Sequence, residues 1–225
     1  MGNCQAGASS GSGRNVISAT TLLRLPCAIR DDRSVAAESI IPAFEETKTF
    51  GSIQIRPLSQ HDPPVIAGAF ASIGWVKPEA KYRLYLEEEE AGTRTCLVAT
   101  VDGEFAGYVT VNWRPTYRGF AELEIPEIQD LNVLPAFRRR GIASRLLDLA
   151  EGRAARRCSV VGVGVGLHAG YNAAQRLYGL RGYIPDGRGV TYRDQYVGQY
   201  VQVMLDDDLV MHLTKDLRTK KETQL

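Results

Sequence analysis

Asp130-Leu131-Asn132-Val133-Leu134-Pro135-Ala136-Phe137-Arg138-Arg139-Arg140-Gly141-Ile142-Ala143-Ser144-Arg145-Leu146-Leu147 is the stretch that decides how this chain is read. An apolar strand end runs into a short turn, three arginines and a glycine follow, and an amphipathic helix opens. The first N–H groups of a helix have no carbonyl partner inside it, and the helix dipole adds partial positive charge at that end. A phosphate placed there satisfies both. Gly141 and Ala143 keep the approach open, because a larger side chain would hold a phosphate away from the backbone. The expected anion site is therefore built from Arg138, Arg139, Arg140, Gly141, Ile142, Ala143 and Ser144.

Outward from this stretch the elements follow from periodicity. The helix it opens places Ile142, Leu146, Leu149 and Ala150 along one stripe, suited to packing on a sheet. The strand before it, Glu127 to Val133, is out of phase: Ile128 and Leu131 are three apart and cannot share a face of a regular strand, while Leu131 and Val133 can. A bulge between Ile128 and Leu131 restores one apolar face. The next strand, Val160 to His168, alternates Val161, Val163, Val165 and Leu167 with Gly162, Gly164 and Gly166. One face is apolar and the other bare, which lets a helix or a cofactor backbone approach. This is not a dinucleotide fingerprint, since the glycines lie within the strand.

Towards the N-terminus, Ile53 and Ile55 alternate with polar residues until Pro57. His61-Asp62-Pro63-Pro64 reads as a helix start, with Asp62 as its cap and Pro63 at the first helical position, and this helix ends near Gly74. A second helix runs from Pro78 to about Gly92. Thr95 to Val101 and Phe105 to Trp113 make a hairpin around Asp102-Gly103.

Arg138-x-x-Gly141-x-Ala143, following Val133-x-Pro135, resembles the coenzyme A signature of the GNAT superfamily of N-acetyltransferases. Tyr171 to Tyr183 resembles the second signature of that family, with Ala174, Leu177, Tyr178, Gly182 and Tyr183 in register. It departs at one place: members often carry Asn seven residues before the tyrosine, where this chain has Tyr171, with Asn172 one residue later. The resemblance covers about Ser52 to Leu217. It implies an α/β (α+β) fold with a central mixed, mostly antiparallel sheet, a splayed parallel pair formed by the fourth and fifth strands, and flanking helices. In that fold the bulge leaves backbone groups of Leu131, Asn132 and Val133 to pair with the pantetheine arm, and Asn172 is the nearest polar candidate to help hold it.

The resemblance further implies acetyl-CoA as cosubstrate, a ternary complex with direct attack by an amine, and no metal. The enzyme must position two reactants, deprotonate an ammonium and protonate the leaving sulfur. Tyr178 aligns with the tyrosine that many members use as general acid. Glu127 lies eleven residues before Arg138, the spacing of the base glutamate in histone-type members, and Asp130 and His168 are the alternatives near the same strand opening. A small primary amine is the expected acceptor. A protein N-terminus or lysine is the second reading, and a non-catalytic acyl-CoA-binding module the third. The acceptor pocket is expected to draw on Trp75, Lys77, Tyr82, Trp113, Tyr117, Tyr192, Asp194 and Tyr196, aromatics that equally suit surface packing. Asp206-Asp207-Asp208 reads as a solvated strand entry.

With 44% hydrophobic and 24% charged residues the chain is of the soluble globular kind. Its net charge of +1 argues against nucleic acid or an anionic membrane as partner. Cys4, Cys27, Cys96 and Cys158 show no Cys-x-x-Cys spacing, so neither a zinc site nor a disulfide framework is expected, and the cytoplasm is the default compartment. A homodimer is allowed. Residues 1–50 read as an extension whose Gly/Ser-rich start is expected to be disordered. Met1-Gly2-Asn3-Cys4 begins like an N-acylation signal but has Ala6 where Ser or Thr is wanted. The acid-free stretch to Arg30 resembles a transit peptide, and an untargeted tail is the preferred reading. Val35 to Phe44 has helical spacing, and residues 218–225 read as a tail.

Overall fold

The computed structural model describes residues 51–218. The expectations for the leader, its acylation or transit signal and its short helix lie outside the described residues, as does nearly all of the C-terminal tail.

The elements, in chain order, are β1 (Ile53–Pro57), α1 (Asp62–Ala71), α2 (Glu79–Glu90), β2 (Arg94–Val101), β3 (Glu104–Asn112), a short α3 (Arg118–Ala121), β4 (Glu127–Val133), α4 (Ile142–Ala154), β5 (Val160–Gly166), α5 (Asn172–Leu180), β6 (Ile184–Tyr192), β7 (Gln195–Tyr196) and β8 (Leu209–Asp216). The strands form one sheet in the order β1-β2-β3-β4-β5-β8-β6-β7. All neighbours run antiparallel except β4 and β5, which run parallel. This is the mixed sheet expected of the GNAT fold.

β2 and β3 are buried along almost their whole length rather than at alternate residues. A strand buried on both sides needs cover on both faces of the sheet. α1 and α2 pack on each other and on this hairpin, and α4 packs on β3 and β4. Asp102 and Gly103 both have positive φ, 51° and 86°, so the hairpin turn twists with its strands. Asp62 falls within α1 rather than capping it. Its carboxylate reaches back to the Ser59 N–H at 2.7 Å and to Arg56 at 2.6 Å, clamping the helix start to β1.

The buried stripe of α4 is Ile142, Leu146, Leu147, Ala150 and Ala154, whereas Leu149 is exposed. The stripe takes in Leu147 rather than Leu149, and the helix packs on β2, β3, β4 and β5 rather than on one strand. Truncating Leu146 or Leu147 to Ala would cost about 2–5 kcal/mol. Beneath the helix, buried Glu151 takes Arg181 at 2.9 Å and Lys215 at 2.7 Å, which ties α4 to the end of α5 and to β8. That tie fixes where α5 presents Tyr178.

The glycine face of β5 is bare, as the sequence suggested, but aromatic rings occupy it at two of the three glycines. A Cβ on Gly162 would strike the Phe120 ring at 2.3 Å, and one on Gly166 would strike the Tyr171 ring at 2.4 Å. Aromatic rings occupy the space over the bare backbone at both positions. At Gly164 a Cβ would meet Val210 Cγ1 at 3.1 Å, Glu127 Oε1 at 3.2 Å and His212 Nε2 at 3.5 Å.

Candidate active site

β4 and β5 pair at just two positions, Glu127 with Gly162 and Ile128 with Val163. Beyond them β4 carries its bulge. Tyr108 and Thr110 of β3 face Asn132 and Gln129, so β4 has one residue too many between those partners. Asp130 takes up the extra length with φ of 52°. The strands diverge from there and open a cleft of about 1380 Å³.

One wall of the cleft is Leu131, Asn132 and Val133, continuing through Arg138, Arg139, Gly141, Ile142, Ala143 and Ser144. The other is formed by Gly164 to Gly166 of β5 and by Tyr171, Asn172, Leu177 and Tyr178 at α5. Arg140, which the sequence reading placed with its neighbours, does not line the cleft, and its guanidinium lies 5.3 Å from the centre of the Phe137 ring. Arg139 and Gly141 have φ of 63° and 79°, so the chain coils into α4 with its N–H groups turned inward. A Cβ on Gly141 would meet nothing within 4 Å. It is the left-handed backbone, more than crowding, that calls for glycine there. Arg138 is braced by the Val133 carbonyl at 3.1 Å and by the Trp75 ring at 5.7 Å.

Glu127 stands where the two strands part, 6% exposed. Its Oε2 accepts from Gln129 Nε2 at 2.8 Å, and Gln129 Oε1 accepts from Arg94 at 3.0 Å. Arg94 also holds Thr110 at 2.9 Å and is paired with Glu88 of α2. Burial pushes the Glu127 carboxyl up to about 7. The Gln129 hydrogen bond and the Arg94 charge pull the other way, while Asp194 and Asp130 add to the rise. A carboxyl in this range exchanges a proton near neutrality.

Asp130 and His168 also line the cleft, each with partners of its own. Asp130 is paired with Lys81 at 2.8 Å and accepts from the Tyr85 hydroxyl. Burial disfavours its charge, but Lys81, Tyr85 and Lys77 outweigh burial and hold it below the usual carboxylate range. His168 contacts Asp207 at 2.8 Å through Nε2 and receives the Gly170 N–H at 3.0 Å on Nδ1. Tyr178 is buried at the cleft floor. Burial, reinforced by the Glu127 charge, raises its phenol well above the ordinary value, so it keeps its proton at neutral pH.

Of the residues expected at the acceptor end, Trp75, Lys77, Tyr117 and Asp194 line the cleft. Tyr82 does not: it is a fully buried core residue, edge-on to Tyr108 at 5.4 Å. Trp113 lies under Arg157 with its indole N–H on Thr95. Tyr192 is bonded to Asp206, and Tyr196 reaches the cleft only through the Tyr117 hydroxyl. The three aspartates are each occupied, Asp207 by His168, Asp208 by Arg193 and Asp206 by Tyr192.

Several cleft residues were passed over in the sequence. Gln129 shares a strand with Glu127 at the i, i+2 position and could have been read from that spacing. Lys81 and Tyr85 are one helical turn apart on α2. His212 faces Gly164 across the β5–β8 ladder, and the glycine was the available signal that something stood over it.

The chain matches the acetyltransferase (GNAT) family model over residues 53–183. It belongs to this family and is an acyltransferase. No curated protein matches its sequence. Among solved structures, a ribosomal-protein-alanine N-acetyltransferase from Brucella melitensis is 19% identical with a TM-score of 0.54, the match covering 72% of this chain and 99% of that one. A spermidine/spermine N-acetyltransferase from Vibrio cholerae is 14% identical with a TM-score of 0.53, covering 77% and 97%. A Salmonella typhimurium protein considered an acetyltransferase, solved with its cofactor acetyl-CoA, is 20% identical with a TM-score of 0.54, covering 77% and 96%. At these identities the likeness speaks for the fold.

Proposed function

We propose that this protein transfers the acetyl group of acetyl-CoA to a primary amine of a small molecule, by direct attack within a ternary complex. The observation that carries this reading is the placement of Glu127 and Tyr178 in one cleft, at the point where the bulged strand leaves its neighbour. One is a carboxyl poised near neutrality and the other a phenol that stays protonated.

The cleft suits the cosubstrate. The coiled Arg138–Gly141 turn and the first N–H groups of α4 suit a pyrophosphate, with Arg138 and Arg139 adding charge. The unpaired side of Leu131, Asn132 and Val133 suits an amide-bearing pantetheine arm, with Asn172 opposite. Acetyl-CoA, when bound, supplies an activated thioester. Glu127 takes the proton from the acceptor ammonium, leaving the amine lone pair free to attack. A backbone N–H of Leu131 or Val133, on the side of the strand turned away from β3, would face the charge that develops on the carbonyl oxygen. Tyr178 gives its proton to the departing sulfur, and the nitrogen, cationic after the attack, releases its second proton as the carbonyl re-forms, which restores the phenol. Asp130, already paired with Lys81, shapes the bulge and takes no proton.

A panel of primary amines with acetyl-CoA, followed by release of free thiol, tests this function. Turnover with small amines and not with peptide N-termini supports it. Acetyl-CoA binding in calorimetry without thiol release from any amine would overturn it in favour of a non-catalytic acyl-CoA-binding module. Among the described residues no helix is long and apolar enough to cross a membrane.

A further inference from the structure

His212 is a cleft residue with no task in the steps above. It stands on β8 opposite Gly164 of β5 and is 3% exposed. Its ring lies flat on the Tyr117 ring, with centroids 3.5 Å apart and planes 4° from parallel, and Phe120 meets it edge-on at 5.4 Å. This packing fixes the plane of the imidazole. Nδ1 is buried and has no hydrogen-bond partner. Nε2 converges with Glu127 on one face of Gly164: a Cβ there would stand 3.5 Å from Nε2 and 3.2 Å from Glu127 Oε1. That spot is bordered on a third side by Val210 Cγ1 at 3.1 Å, and glycine at 164 adds no side chain of its own between the imidazole and the carboxyl.

A buried N–H without an acceptor is rarer than a buried lone pair without a donor. The single ring proton of neutral His212 therefore belongs on Nε2, the nitrogen that faces Glu127. We propose that His212 is a positioning residue for Glu127, its Nε2–H directed over Gly164 at the carboxylate, directly or through one water, steadying the ionised form that accepts the amine proton. This rests on Glu127 being the base. Burial holds the imidazole down to about 4, against the charges of Asp186 and Asp194, so at neutral pH it donates without adding charge. The other groups facing Glu127 are Gln129 on its own strand, Arg94 from β2, Asp130 beyond the bulge, Asp194 from the β6–β7 turn and Tyr178 from α5. On the far side of His212 stand Tyr117 and, bonded to it at 2.7 Å, Asp186 of β6. Arg94 and Gln129 favour the carboxylate while Asp194, Asp130 and burial oppose it, so one donor weighs on the balance.

His212→Phe keeps a flat ring on Tyr117 and removes both nitrogens. The expected result is an acidic limb of the kcat/KM profile moved upward by about one pH unit, the scale of one hydrogen bond to a charged group. Affinity for acetyl-CoA by calorimetry stays unchanged, and His212→Gln, which retains a donor, brings the limb back towards wild type. Gly164→Ala keeps both side chains, puts a methyl group beside them at the cost of a few tenths of an ångström of movement in Val210 and Glu127, and is expected to move the limb in the same direction. In a Glu127→Gln background His212→Phe should add no further loss of rate. A limb that stays put in both His212→Phe and Gly164→Ala overturns the role of His212 and leaves Glu127 as base. If the limb instead survives Glu127→Gln, the base assignment itself falls, and the role of His212 with it.

Discussion

Replacing Glu127 by Gln tests both the chemistry and the energetics of the site. Gln keeps the side-chain shape and can still accept the hydrogen bond that Gln129 donates at 2.8 Å. It removes the ionisation. In the folded protein burial lifts this carboxyl from 4.5 to about 7. Because the folded value lies above the unfolded one, the stability linked to the bound proton is fully present below pH 4.5 and is lost as pH rises through about 7. That gap, at 1.36 kcal/mol per pH unit, amounts to roughly 3 kcal/mol. The Gln variant carries no such loss. Its stability relative to wild type should therefore grow by about 3 kcal/mol between pH 4.5 and 8, or about 6–12 °C in Tm for a domain of this size. Calorimetric melts of both proteins at half-unit steps of pH read the difference directly, and kcat/KM profiles over the same range read the function. The wild type should show an acidic limb near 7 that the variant lacks. Parallel Tm curves would mean that Glu127 is not a desolvated carboxyl, and a limb preserved in the variant would mean that it is not the base.

Tyr178→Phe should lower kcat by about 10²–10⁴, the usual contribution of a general acid, with acetyl-CoA affinity in calorimetry nearly unchanged; full turnover when chemistry limits the rate would remove the phenol from the mechanism. Gly141→Glu adds a like charge beside the pyrophosphate site and forces a bulky residue into φ of 79°, so acetyl-CoA binding should be lost while the circular dichroism spectrum persists. Gly162→Ala drives a methyl group into the Phe120 ring and should cost about 1–3 kcal/mol in urea unfolding, a loss that an unchanged midpoint would contradict. A chain beginning at Thr49 should melt and turn over like the full sequence, since both signatures and all the cleft residues among those described follow that point; a large fall in Tm would show that the leader contributes to the stability of the domain.

Local pattern carried much of this in the sequence. The broken phase between Ile128 and Leu131 located the bulge, because a strand cannot turn a residue over without adding one. It did not tell that Asp130 is the residue with positive φ, nor that Lys81 and Tyr85 hold it there, because those partners come from a helix distant in the chain. The glycines of β5 were read correctly as a bare face, and Gly164 and Gly166 do border the cleft, but the rings that occupy the face at Gly162 and Gly166 were not foreseen. Periodicity reports which side chains are missing, while what fills their place is decided by Phe120 and Tyr171 arriving from other segments. Trp113 and Tyr82 looked like pocket aromatics, and the structure gives them to the sheet and core. An aromatic's composition is the same in both settings, and only its neighbours separate them.

The two residue pairs that join β4 to β5 make the sheet a pair of plates meeting at a corner. Past that corner, β4 offers an open strand edge in the interior of the molecule. Such an edge would ordinarily attract another strand, and proteins blunt it with charge, proline or a covering helix. Here the bulge angles it away instead, so that a regular strand entering the wedge would find one edge to pair with and no second. A slim unbranched arm carrying its own amides needs only one. The wedge angle thus acts as a filter on what can complete the sheet. The amide protons of Leu131 and Val133, which alternate with those turned to β3, should behave accordingly, exchanging with solvent like those of a surface strand in the free protein and slowing many-fold once acetyl-CoA is added.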